Sequence, residues 1–181
     1  MKINTHTTIK LVFAAIILLT AGCASQKKAK TIDEPQIYMQ EMYTSLLQEL
    51  SHEAEVAIIE DSVKIIFLGG VVFNVDEFVI NSELHPCFQR FAQVLSKYSK
   101  TTILITGHAD STGDEKKNIE LSQKRADNAK NLLQNFDVDE ERIYTLGHGS
   151  ALPIDNNSTV SGRAKNRRVE FVILFNYSNK K

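Results

Sequence analysis

Apolar residues follow two rhythms along this chain. Met39, Met42, Tyr43, Leu46, Leu47 and Leu50 recur at three- and four-residue steps, which predicts an amphipathic helix over residues 37–54. Residues 55–60 and 63–68 are instead β-branched runs around Asp61-Ser62, the pattern of a hairpin. Gly69-Gly70 interrupts the second run, and Val71-Val72-Phe73 predicts that it resumes. Asn81 or Ser82 can cap the next helix and Pro86 suits its first turn. Leu84, Phe88, Phe91, Leu95 and Tyr98 trace that helix's apolar face. Residues 101–106 read as a strand, 107–117 as a polar loop, 118–135 as a helix and 142–146 as a strand. Residues 147–165 read as a long loop and 168–175 as a closing strand. This order predicts an α/β (α+β) sandwich with helices on a mixed sheet.

The helix at 118–135 carries the most information. At 100° per residue, Ala129, Leu132, Leu133 and Phe136 share one face, which must be the core face. The same face nearer the helix start holds Asn118, Ser122 and Arg125. An inward arginine is costly unless something pairs with it. A helix start also offers free N–H groups and a positive dipole end. The preceding loop carries Asp110 just past a strand, and α/β sheets bind ligands beyond the carboxyl ends of strands. Two readings stay open here. Asp110 and Arg125 together suit a ligand with both an ammonium and a carboxylate, or they simply pair with each other.

Composition narrows the function. The chain has 181 residues, 43% hydrophobic and 24% charged, as in an ordinary globular protein. Formal net charge is −1 and Trp is absent, which argues against a nucleic-acid platform. Two cysteines cannot staple a disulfide scaffold. Lys2 and Lys10 precede residues 11–19, an unbroken apolar run. A spanning helix needs about 20 such residues, so the run suits a signal peptide over 1–22. Thr20-Ala21-Gly22-Cys23 resembles a bacterial lipobox, which implies that Cys23 is acylated and becomes the mature N-terminus. Several acyl chains hold a protein stably at a membrane. Ala24, in place of Asp, implies the outer membrane under the Gram-negative sorting rule. Residues 23–36 then form a lipidated tether reaching roughly 45 Å. Residues 1–22 hold two of the 21 basic residues and no acid, so the mature chain has 19 against 22, a net of −3. Cys87, left without a partner, reads as a small buried hydrophobe.

The second half resembles the OmpA-like C-terminal domain family, which includes OmpA, the peptidoglycan-associated lipoproteins and flagellar stator proteins. The residues that carry the resemblance are Gly107-His108-Ala109-Asp110, Gly113, Asn118, Leu121-Ser122-Gln123-Lys124-Arg125-Ala126 and Asn166-Arg167-Arg168-Val169-Glu170. Phe73 stands at the family's phenylalanine before the first helix, and the match runs over roughly residues 63–177. The resemblance implies a β/α/β/α/β-β domain, here spanning 55–177, that binds peptidoglycan without a covalent bond. It implies that Asp110 receives the ammonium of diaminopimelate and Arg125 its carboxylate. Asn118, Leu121, Arg167, Phe73 and Ala109 would line or brace the site. With the lipobox, the layout is that of a peptidoglycan-associated lipoprotein on the periplasmic side of the outer membrane.

Other classes find less support. His108, Asp110 and His148, with Glu120 or Ser150, could be drawn as a metal or hydrolase site, but no metal-binding or nucleophile-elbow spacing exists. No cofactor, metal or catalytic step is expected. The basic run 163–168 sits in an acidic chain, and strand alternation sends Arg167 and Arg168 to opposite faces. A stator would need a spanning helix with an ion-carrying acid, which residues 11–21 lack. A docking subunit of a secretion, efflux or motor assembly is the alternative function, with the helix at 37–54 as its extra surface.

Overall fold

The computed structural model describes residues 34–68, 72–73 and 77–176. The expectations placed on residues 1–33, Cys23 among them, and on Gly69-Gly70-Val71 lie outside the described residues. The elements in chain order are α1 (Glu34–Leu50), β1 (Glu55–Ile59), β2 (Ser62–Leu68), α2 (His85–Lys97) and β3 (Thr101–His108). They continue with α3 (Glu115–Asn135), β4 (Ile143–Gly147), α4 (Val160–Asn166) and β5 (Arg168–Phe175).

The sheet order is β1-β2-β5-β3-β4. β3 and β4 run parallel, because α3 carries the chain back to the same end of the sheet; the other neighbours are antiparallel. This is the mixed sheet expected from the sequence. Alternation decides its faces: Val63, Ile65 and Phe67 of β2 are fully buried, while the residues between them are half-buried. The buried face meets the apolar stripe of α2, where Phe67, Phe88, Phe91 and Phe171 pack with ring centroids 5.0–6.3 Å apart. Cys87 sits in this core, and burial pushes its thiol up to about 11, so it is an inert hydrophobe.

α1 is part of the same core. Met39, Met42, Leu46 and Leu50 are buried, at 3% exposure or less. The Tyr38 ring stands edge-on to Tyr98 and Phe175, and its hydroxyl accepts from the Lys100 N–H at 3.0 Å.

Six features differ from the sequence reading. α1 begins at Glu34, inside the stretch 23–36 read as tether, because Glu34 and Pro35 favour a first turn. It stops at Leu50 rather than 54, since Ser51–Ala54 form turns into β1. Val72 and Phe73 are buried outside the sheet instead of resuming β2. α3 begins at Glu115, not 118, because the Asp114 side chain accepts from the Lys117 N–H at 3.1 Å and caps it. β4 starts one residue later than read, at Ile143. The stretch 147–165, read as loop, contains most of α4.

Candidate functional site

The site is built where β3 and β4 end. Gly107 and Gly147 are register partners in the parallel pair, and both lie under α3. A Cβ on Gly107 would stand 2.0 Å from the Ser122 carbonyl oxygen, and one on Gly147 would stand 2.4 Å from the Gln123 nitrogen. Two missing side chains therefore let the α3 backbone rest directly on the sheet. Further contacts lace the loops beyond. The Ala109 N–H donates to the Gly149 oxygen at 2.8 Å, and the Gly149 N–H donates to Ser122 Oγ at 2.9 Å.

Asp110 follows β3 by two residues and is 6% exposed. Its Oδ1 accepts from the Thr112 N–H at 2.8 Å and from the Thr112 hydroxyl, and its Oδ2 accepts from Arg167 Nη1 at 2.7 Å. Burial pushes the Asp110 carboxyl up, but the bonds from Thr112 and Arg167 outweigh it and hold the group below its ordinary range. Asn118 spans the loop, its side-chain amide donating to the Asp110 and Thr112 carbonyls at 3.2 and 3.0 Å. Gly113 turns the loop at φ +81°, a conformation that favours glycine.

Arg125 is 2% exposed. Its Nε donates to the Glu77 carbonyl at 2.9 Å, and its guanidinium lies over the Phe73 ring at 4.9 Å. The Asp110 ion pair is thus with Arg167 and not with Arg125. Between Asp110 and Arg125 opens a cleft of about 200 Å³ lined by Ala109, Asp110, Thr112, Asn118, Leu121, Arg125, Arg163 and Arg167. Of the residues singled out from the sequence, Asp110, Arg125, Asn118, Leu121, Arg167 and Ala109 meet here. Phe73 supports Arg125 from beneath.

With α3 starting at Glu115, Arg125 lies ten residues along it, about 15 Å from its first turn. The first turn still reaches the cleft through Asn118, so the start of α3 and the guanidinium of Arg125 line different parts of it. Two cleft residues were not read from the sequence. Thr112, two positions after Asp110, carries the signal of an Asx turn. Arg163 was visible only as part of a basic run.

The two histidines drawn as a metal site lie side by side. His108 and His148 stack with centroids 5.2 Å apart, and His108 Nε2 lies 3.3 Å from Thr106 Oγ1. Among the described residues no group of His, Cys, Asp or Glu could hold a metal. His108 borders a buried ion group in which Glu170 meets Arg168 and Lys64, each at 2.7 Å. Arg168 thus points away from the cleft that Arg167 lines, as strand alternation required.

Comparison with known proteins bears on the family and the fold. Outer membrane protein A of Bordetella avium is 37% identical over 111 residues, 61% of this chain and 57% of that protein. The chain spans about half the length, or less, of several curated relatives it matches. The peptidoglycan-associated lipoprotein of Buchnera aphidicola is 28% identical over 88% of this chain and 95% of its own. Among solved structures, the cell wall anchor of the T6SS from Pseudomonas aeruginosa superposes with a TM-score of 0.65 at 26% identity, over 76% of this chain and 96% of that one. The OmpA family model matches residues 72–167, 96 of the 181, and takes in every residue that lines the cleft: the chain belongs to the OmpA family.

Proposed function

We propose that this protein is a non-catalytic lipoprotein that holds the outer membrane to the cell wall by binding peptidoglycan at the Asp110–Arg125 cleft. Asp110 takes the ammonium of the diaminopimelate in the stem peptide and Arg125 takes its carboxylate. The observation that carries this reading is the cleft itself, open between a charged carboxylate and a guanidinium that are not bonded to each other. A carboxylate has about four lone-pair sites, and Thr112 and Arg167 occupy three of those of Asp110, so one remains for an ammonium. A zwitterionic amino-acid end matches both charges at once. The Bordetella, Buchnera and Pseudomonas proteins, named for the outer membrane, for peptidoglycan and for the cell wall, support the same reading.

In this reading Cys23 carries the lipid and the segment up to α1 links it to the domain, on the periplasmic side. One zwitterion contact binds weakly, and many copies in one envelope raise the hold by avidity. The test is co-sedimentation of the full chain in detergent with purified sacculi. Asp110→Ala and Arg125→Ala should each leave the protein in the supernatant with an unchanged circular dichroism spectrum. Co-sedimentation of both variants at the wild-type level refutes the assignment. Separately, Cys23→Ser should abolish labelling by a radioactive fatty acid, and retained label refutes the anchor.

A further inference from the structure

The basic run at 163–168 holds four cations, and three are each matched by a carboxylate. Lys165 meets Asp155, Arg167 meets Asp110 and Arg168 meets Glu170, each at 2.7 Å. Arg163 differs. Among the described residues no carboxylate pairs with it, and its Nη1 donates to the Asn157 main-chain oxygen at 2.9 Å. It is half-buried and lines the same cleft as Asp110 and Arg125.

The position of Arg163 is fixed by its surroundings. α4 is capped by Thr159, whose Oγ1 accepts from the Gly162 N–H at 3.0 Å. Asn157 Oδ1 accepts from the Asn166 amide at 2.8 Å and from the Ser111 N–H at 3.2 Å, which ties the wall carrying Arg163 to the loop carrying Asp110. A guanidinium has five N–H donors, and the bond to Asn157 uses one. A positive charge held in place with spare donors in a concave site is preorganised for an anion. The zwitterionic end of diaminopimelate is net neutral and is satisfied by Asp110 and Arg125. In the wall-binding reading neither of its charges calls for Arg163.

Building on the wall-binding reading above, we propose that Arg163 recognises a second carboxylate on the stem peptide, so that the cleft selects peptides in which that carboxyl group is ionised over those in which it is amidated. A carboxylate puts charge on both sides of the bond and can accept from a guanidinium at two points, whereas an amide oxygen is a neutral acceptor. Amidation removes the charge with little change of shape. Arg163 is in this sense a specificity residue for wall chemistry, separate from the two residues that hold the zwitterion.

The test is calorimetric titration of the full chain in detergent with three synthetic stem tetrapeptides containing meso-diaminopimelate. One has all carboxyl groups free, one is amidated on the glutamate α-carboxyl, and one is amidated on the terminal D-alanine. The wild type should bind the free peptide about tenfold more tightly than one of the two amides. Arg163→Gln should bind the free peptide about as weakly as wild type binds that amide, and should lower the affinity for the amide far less. Arg163→Lys should restore part of the preference. The inference is overturned if the wild type binds all three alike, if Arg163→Gln keeps the preference, or if it weakens free peptide and amide equally. If the wild type binds none of the three, the wall-binding reading fails and takes the inference with it. If the wild type binds, Asp110→Ala should lose all three peptides, which separates the two claims.

Discussion

Gly107→Ala tests how closely α3 must sit on the sheet. The added Cβ would lie 2.0 Å from the Ser122 carbonyl oxygen and 2.8 Å from its carbon, and real Cβ atoms essentially never come within 3.0 Å. The obstacle is helix backbone, so no side chain can swing away. Strand and helix must part by at least about 1 Å, which places the substitution at or above the upper end of overpacking costs, about 3 kcal/mol. For a domain of this size that corresponds to a fall in Tm of roughly 6–12 °C. The displacement also moves Ser122, and with it the bond from the Gly149 N–H that joins the two site loops. Stem-peptide affinity should therefore fall along with stability. Gly113→Ala is the control. Its Cβ meets nothing within 4 Å, and only the φ of +81° resists it, at about 1–2 kcal/mol. Urea denaturation followed by circular dichroism measures both variants. A Gly107→Ala stability within about 0.5 kcal/mol of wild type would refute the close-approach argument.

The protein should lose stability on mild acidification. Burial, then the nearby Arg168, push the His108 imidazole down to about 4, against a partial opposing pull from Glu170. The unfolded chain therefore binds the extra proton between pH 6.5 and 4, so stability is full above pH 6.5 and drops by on the order of 3 kcal/mol by pH 4. His108→Phe should flatten that slope in urea titrations, and an identical slope in the variant would disprove the assignment. Glu170→Ala should cost about 3–5 kcal/mol, because it strands Arg168, which is 2% exposed, without its carboxylate. Pairing Arg168→Met with Glu170→Leu should recover most of that loss, and a double variant no better than the single would argue against it. Leu46→Ala should cost about 2–5 kcal/mol in the same assay if α1 belongs to the core, whereas a loss under about 0.5 kcal/mol would make it an appendage.

Local pattern determined much of this molecule. Alternation in 63–68 and 168–175 fixed which side chains of β2 and β5 face inward, and the 3.6-residue rhythm fixed the buried stripes of α1, α2 and α3. The inward position of Arg125 could be read for the same reason, since the face of a helix is set by spacing alone. Pairing could not be read this way. Asp110 finds Arg167 at 57 residues' separation, not Arg125 at 15, because β5 lies between β2 and β3 and delivers the end of α4 to the loop after β3. α4 was hidden because Val160-Ser161-Gly162 is a poor helix start by propensity. It forms where Thr159 caps it, Gly162 passes close to the Asn156 carbonyl, and Asn166 ties down Ile154 and Asp155. Short-range spacing chose the faces. Long-range packing chose the partners, and so left Arg163 as the cation in its run without a carboxylate among the described residues.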